Sequence, residues 1–143
     1  MRIEDQVCPL EQAKELVGLG LSIKTYWFWL AQFSHNTNKP SPTQSPNFKY
    51  YNLIDHNTLH QIKQFTSEVE FYPAPTCSEL GVLLSGYQII LTPNDGWEVF
   101  DPDGFAHGFL AEYCDKLPET AARAEALIWL IDEKYIDPKD LKL

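Results

Sequence analysis

The sequence is poor in basic residues. Of its 143 residues, 11 are Lys or Arg and 20 are Asp or Glu, which gives a formal net charge of −9. The basic residues are also isolated from one another along the chain. Such a chain repels a phosphate backbone unless its few cations cluster, so we expect no nucleic-acid partner. The acidic balance suits solubility, or docking onto a basic partner.

Cysteine and long apolar runs are also scarce. The three cysteines, Cys8, Cys77 and Cys114, are odd in number and widely spaced, without a CxxC pair. They are typical of reduced, partly buried thiols in a cytosolic protein, not of a disulfide framework or a zinc site. The first residues show no apolar signal-peptide segment, and no stretch approaches the roughly 20 apolar residues that span a bilayer. We therefore expect a cytoplasmic protein that does not enter a membrane.

Motifs for nucleotide binding and for nucleophilic catalysis are absent. The chain contains neither GxxxxGK[ST] nor GxGxxG, and none of its serines lies in GxSxG. We accordingly predict no cofactor and no catalytic residue. With 44% hydrophobic residues, however, the chain has ample material for the core of one domain.

Aromatic residues are concentrated in one stretch, residues 25–33, which has the sequence TYWFWLAQF. Alternation along a strand puts Tyr26, Phe28, Leu30 and Gln32 on one face, and Trp27, Trp29, Ala31 and Phe33 on the other. A strand that is apolar on both faces is usually central in a sheet covered on both sides, or is edged by a partner. The tryptophans then belong to the core or to the wall of a pocket.

The remaining patterns predict a single α+β domain over residues 1–143. A helix starts near Cys8-Pro9 with Leu10, Ala13, Leu16 and Val17 on its buried face. FKYYNLI returns as a strand after a Pro-rich, mobile loop at 36–47, and a short helix follows at 55–66 with Leu59, Ile62 and Phe65 at three-residue spacing. We expect a small antiparallel sheet of two hairpins packed with three to four helices, the last of them long.

Local signals mark two of these elements clearly. Thr76 and Glu79 form a capping box that starts a helix over about 77–84. Residues 86–101 form a hairpin around Pro93-Asn94-Asp95-Gly96, in which Gly96 is free to take positive φ.

The C-terminal helix is predicted to start at Pro118 and to bury a single stripe. The stripe comprises Leu117, Ala121, Ala124, Leu127, Ile128, Ile131 and Tyr135. Trp129 falls opposite it, near Glu125 and Asp132, and outward tryptophans are common anchors of interfaces. These three residues are a candidate surface for self-association or for a partner protein, unless the rest of the chain covers Trp129.

Three further groups are candidate sites. Tyr26, Trp27, Trp29 and Tyr50 are candidates for the lining of a small-molecule pocket between sheet and helix. His56 and His60 share a helix face and could contribute two metal ligands, although no third ligand is evident. Asp101, Asp103 and His107 could support acid–base chemistry or bind a cation, but Asp101-Pro102-Asp103-Gly104 is also ordinary turn chemistry. We expect a structural turn there.

Three stretches carry a likeness to other proteins: CPLEQAKELVGLG, YPAPTCSELGVLL and ETAARAEALIWLIDEKYI. Together with the aromatic strand, they resemble a group of small uncharacterised proteins of bacterial prophages and mobile elements, with helices on both sides of a sheet. The resemblance implies a phage-derived accessory protein and no catalytic residues.

The sequence thus favours a non-enzymatic accessory protein that binds a host or phage protein, or a second copy of itself. The alternatives are a small-molecule-binding domain and a metal-dependent enzyme.

Overall fold

A computed structural model describes residues 2–35, 47–66, 68–92, 96–109 and 117–143. The predictions for the loop at 36–46, for the turn residues 93–95 and for Cys114 lie outside these ranges. The helices are α1 (Leu10–Gly18), α2 (His56–Phe65), α3 (Cys77–Leu83) and α4 (Glu119–Asp132). The strands are β1 (Trp27–His35), β2 (Asn47–Asp55), β3 (Phe71–Pro73), β4 (Gln88–Thr92), β5 (Gly96–Phe100) and β6 (Ala106–Phe109). The predicted α+β class is confirmed.

The first sheet has the strand order β2-β1-β3, and both pairings are antiparallel. β1 is therefore the central strand, as its two apolar faces predict. β2 pairs with β1 from Trp27↔Asp55 to His35↔Asn47, whereas β3 pairs only with residues 28–30. The two long strands thus extend well beyond the short third one.

Each face of β1 contributes to a different apolar cluster. On one face, Phe28 and Leu30 are buried against Leu59 of α2. On the other, Trp29 packs against the main core, and its indole N–H donates to the Cys8 carbonyl at 2.8 Å. Aromatic density at 25–33 is therefore explained by a strand covered on both sides.

The second sheet has the order β4-β5-β6, again antiparallel. It contains the predicted hairpin, and Gly96 has the expected positive φ, at 82°. The two hairpins lie in separate three-stranded sheets.

Helix α1 differs from its predicted orientation at two positions. Ala13 and Leu16 are buried as expected, but Val17 is 38% exposed and Gln12 is buried. The reason is that Gln12 faces α4, where its amide nitrogen donates to the Ala121 carbonyl at 3.1 Å. A polar contact with a distant helix thus sets which side of α1 is buried.

Helix α4 is buried around most of its circumference, and the single-stripe prediction is incomplete. Its buried residues are Thr120, Ala121, Ala122, Ala124, Ala126, Leu127, Ile128, Leu130 and Ile131. Helix α4 packs against α1 and α3 and contributes seven of the 17 buried residues of the main core. Arg123 forms an ion pair with Glu119 at 2.9 Å. Tyr135, which the sequence placed in the stripe, lies beyond the helix and is half exposed.

Helix α3 begins as predicted. The Thr76 hydroxyl accepts from the Glu79 backbone N–H, and the Glu79 carboxylate accepts from the Thr76 backbone N–H. In the described part of the chain, no helix is long and apolar enough to cross a membrane.

Candidate functional site

The candidate site is a groove between β1, α2 and the chain that leads into β3. It has a volume of about 570 Å³ and is open rather than enclosed. Two smaller clefts, of about 380 and 320 Å³, are lined by Cys77 and Thr120 in one case and by Gly81 and Arg123 in the other. The groove is larger and more apolar than either.

The floor of the groove is the outer edge of the smaller apolar cluster. Leu30 of β1 is buried, and Ile62 and Val69 are partly buried against the same cluster. Leu59 and Ile62 share the face of α2 that packs on the sheet. Because that face is apolar and only partly covered, it leaves hydrophobic surface open to a ligand.

Phe65 does not join this face, contrary to the sequence prediction. At about 100° per residue, Phe65 lies roughly 120° around the helix from Leu59. Its side chain is 90% exposed, and the next residue, Thr66, lines the groove. A large ring is therefore exposed at the residue that precedes the groove-lining Thr66.

The rim of the groove is polar. Gln32 accepts from the Asn52 side-chain amide at 2.6 Å. Glu70 is engaged with two partners: the Lys49 ammonium at 2.8 Å and the Tyr51 hydroxyl, which donates to it at 2.8 Å. Glu68 is exposed and has no ion-pair partner among the described residues. Glu68 therefore adds an exposed carboxylate to the residues that line the groove.

These contacts change the pKa values of the Glu70–Lys49 pair. The hydrogen bond from Lys49 lowers the pKa of Glu70, and the Tyr51 hydroxyl adds to this effect. The hydrogen bond to Glu70 raises the pKa of Lys49. Glu70 is thus held in its charged form at the rim.

Replacing Glu70 with glutamine is expected to cost stability near neutral pH and to cost less in acid. A carboxyl group whose pKa is lowered by folding stabilises the fold above its unfolded pKa, and this contribution disappears as pH falls through the folded pKa. Thermal unfolding of wild type and Glu70→Gln should therefore converge as the solution is acidified. The pKa of Asp55 is also lowered, by the Thr58 backbone N–H. Because Asp55 is present in both proteins, its contribution to the pH dependence of stability cancels in the comparison.

The matched control is Glu68→Gln, because it removes a rim carboxylate that is not paired. We expect it to unfold like wild type over the same pH range. A Glu70→Gln difference that stays constant down to low pH would contradict the assigned ion pair.

The four predicted pocket aromatics are divided between the two faces of the first sheet. Trp29 faces the main core. Tyr50 pairs with Gln32, which lies on the other face of β1 with Leu30. Tyr26 and Trp27 contact each other edge to face at 5.2 Å, at the start of β1. The groove is instead lined by aliphatic and polar residues.

The predicted partner surface is partly occupied by the protein itself. Trp129 is partly buried against the main core, and its ring lies 5.7 Å from that of Tyr135. Glu125 accepts from the Gln12 side-chain amide at 2.6 Å, and Asp132 is exposed. Self-association through Trp129 stays a prediction.

Asp101 holds a turn, as expected. One of its carboxylate oxygens accepts from the backbone N–H groups of Asp103 and Phe105, at 3.0 and 2.9 Å. Asp103 is exposed, and the side chain of His107 lies outside the described part of the structure.

His56 and His60 are both exposed on α2. The His56 ring contacts Tyr26 at 5.1 Å, and a ring nitrogen of His60 lies 3.2 Å from the Gln64 amide. In the ranges that the structure describes, no cluster of three or more His, Cys, Asp or Glu side chains could hold a metal.

Two of the cysteines are described, and both are free thiols. Cys8 is fully buried, and burial raises its pKa to about 12, with a smaller contribution from the negative charge of Glu125. Cys8 therefore stays protonated, which suits a core position and not a reactive one.

Sequence reasoning missed the groove. The alternation Glu68-Val69-Glu70 and the Leu59–Ile62 spacing were both present in the sequence, but they are far from β1 along the chain. Their proximity to Leu30 and Gln32 depends on how α2 folds back over the sheet.

The fold and the groove together define an α+β protein with an open groove whose floor is apolar. Comparison with models of protein families, with curated proteins and with solved structures found no match. The resemblance to prophage proteins stays a prediction.

Proposed function

We propose that this chain is a non-enzymatic, cytoplasmic accessory protein that binds a partner protein in the groove. The groove itself carries this proposal. It has an apolar floor formed by Leu30, Ile62 and Val69, and a polar rim that includes Glu68 and Glu70. An apolar centre surrounded by a polar rim is the usual anatomy of a protein–protein interface.

The exposed ring of Phe65 supports a macromolecular partner. A side chain that is 90% exposed gains most from a ligand large enough to cover it. Large aromatic residues carry much of the binding energy in interfaces because they bury a large area at little entropic cost. A ligand confined to the groove would leave this ring in water.

A small apolar ligand is the second candidate, because the groove volume of about 570 Å³ is within the range of about 300–1,000 Å³ typical of small-molecule sites. The open shape of the groove favours the protein partner, since such sites bury most of the surface of a small ligand.

The test is a selection of binders from a displayed library of protein fragments, with wild type and a Thr66→Trp variant as parallel baits. Thr66 is exposed at the edge of the groove, so an indole there fills the groove without entering the core. We expect the selection to yield fragments that bind wild type. Their affinity for Thr66→Trp should be at least about tenfold lower, because the indole occupies the space that the fragment needs.

The control bait is Glu133→Lys, an exposed position after α4 and outside the groove. It should retain the same fragments. If no selected fragment distinguishes wild type from a folded Thr66→Trp protein, the groove is not the partner site. Binding of small apolar molecules, with no fragment selected, would favour the second candidate.

A further inference from the structure

We propose that the groove takes an extended, basic segment of its partner as an additional strand on the free edge of β1. This inference rests on the proposed function, because it specifies the chemistry of the partner that the groove binds. In this mode of recognition, backbone hydrogen bonds supply affinity and alternating side chains supply specificity.

The backbone of β1 provides the edge. On one side, β2 pairs with β1 along its whole length. On the other, β3 pairs only with residues 28–30, after which the Ala31 N–H donates to the Glu70 carbonyl at 3.0 Å. Among the described residues, no strand faces 32–35 on that side.

Residues 32–35 extend over about 13 Å, at roughly 3.3 Å per residue. Successive residues of a strand direct their backbone groups to opposite sides, and the Ala31 N–H points to the β3 side, so Phe33 and His35 present their N–H and C=O groups to an edge that no described strand occupies. An edge of this kind presents N–H and C=O groups that can template another strand. The edge begins at the groove, because Ala31 and Gln32 both line it. A segment that pairs with the edge therefore enters the groove at the same point.

The floor of the groove suits alternating side chains. Successive side chains of a strand point to opposite faces of its sheet. A segment beside β1 thus directs every second side chain toward the face that carries Leu30 and is covered by α2. Partly buried Ile62 and Val69 offer apolar contact to such a side chain.

The net charge of the protein favours a basic segment over an acidic one. Glu68 lies on the rim as an exposed carboxylate without an ion-pair partner in the described ranges, whereas Glu70 is already engaged by Lys49. The chain as a whole carries a formal net charge of −9. This field attracts a cationic segment and repels an acidic one, and it also opposes a second copy of this chain.

The test uses defined peptides of about nine residues, long enough to cover the four-residue edge with flanks. The first alternates valine with lysine, and the second has glutamate in place of lysine. Two further versions of the lysine peptide are N-methylated on one or the other alternating set of backbone amides. N-methylation removes hydrogen-bond donors and leaves the side chains in place.

We expect the lysine peptide to bind full-length protein and to slow hydrogen exchange of backbone amides within 32–35. The glutamate peptide should bind at least about tenfold more weakly, and so should one of the two N-methylated versions. Glu68→Lys should weaken the lysine peptide by a similar factor, while Glu133→Lys changes its affinity by no more than about twofold.

The inference is overturned if the lysine peptide does not bind, if it protects no amide within 32–35, or if both N-methylated versions bind as well as their parent. Each of these outcomes contradicts strand addition but not the proposed function, provided that selected fragments still bind Thr66→Trp more weakly than wild type. The proposed function is contradicted by a different result, in which no selected fragment distinguishes Thr66→Trp from wild type.

Discussion

Replacing Gln12 with glutamate is expected to destabilise the protein by about 3 kcal/mol at neutral pH, the cost of an uncompensated buried charge. Gln12 is only 8% exposed, and its amide nitrogen donates both to the Glu125 carboxylate at 2.6 Å and to the Ala121 carbonyl at 3.1 Å. In the variant, a carboxylate oxygen faces two acceptors in place of this donor. Both partners can only accept hydrogen bonds, so the amide nitrogen and not the amide oxygen faces them.

The penalty should depend on pH. Two adjacent carboxyl groups retain a proton, so folding raises the pKa of the pair above the unfolded value of about 4.3. A carboxyl group whose pKa is raised by folding does not change the free energy of unfolding below its unfolded pKa. As pH rises toward the folded pKa, the same group lowers the free energy of unfolding increasingly. Urea unfolding of the variant should therefore approach wild type near pH 4 and diverge above it.

Two further variants separate charge from packing. Gln12→Met has a similar volume and no charge, so we expect a loss of about 1 kcal/mol that does not vary with pH. Adding Glu125→Gln to Gln12→Glu restores a donor opposite the carboxylate and should recover part of the loss, which a double-mutant cycle measures. Wild-type stability of Gln12→Glu at neutral pH would show that Gln12 does not face Glu125.

Truncating Leu130 to alanine is expected to cost about 3 to 4 kcal/mol, within the range for a buried leucine whose cavity does not collapse. Leu130 is fully buried in α4, where it packs in the main core. The spacing pattern of the sequence does not include Leu130 in the buried stripe. The loss of stability therefore tests whether α4 is buried around most of its circumference.

The control is Phe65→Ala, which removes a larger apolar side chain from a position that is 90% exposed. We expect a change of no more than about 0.5 kcal/mol, because little surface is transferred from water on folding. Both variants should unfold in urea with the slope of wild type. A loss below about 1 kcal/mol for Leu130→Ala would indicate a one-sided α4.

Local elements were the most predictable part of this protein. The capping box of Thr76 and Glu79 was predicted because both partners lie within one turn of helix. The positive φ of Gly96 follows from a turn that is also local. The central position of β1 was predicted because apolar residues on both of its faces need cover from both sides.

Surfaces made by distant segments were not predictable. Gln12 and Glu125 are far apart in sequence, and the hydrogen bond between their side chains gives no signal in either segment. The groove brings Leu30 of β1 together with Ile62 and Val69, which follow much later in the sequence. The aromatic residues that were predicted to line a pocket lie on different faces of the first sheet and do not line the groove.

The sequence by itself therefore determined the α+β class, the elements and their capping, because hydrophobic periodicity and turn chemistry depend on neighbouring residues. Only the tertiary structure decided which sides of α1 and α4 are buried and where β1 retains an open edge. Periodicity describes the surface of one element, whereas burial depends on which other elements fold against it. That dependence is why the candidate site uses Leu30, Ala31 and Gln32 of the aromatic strand and not its tryptophans.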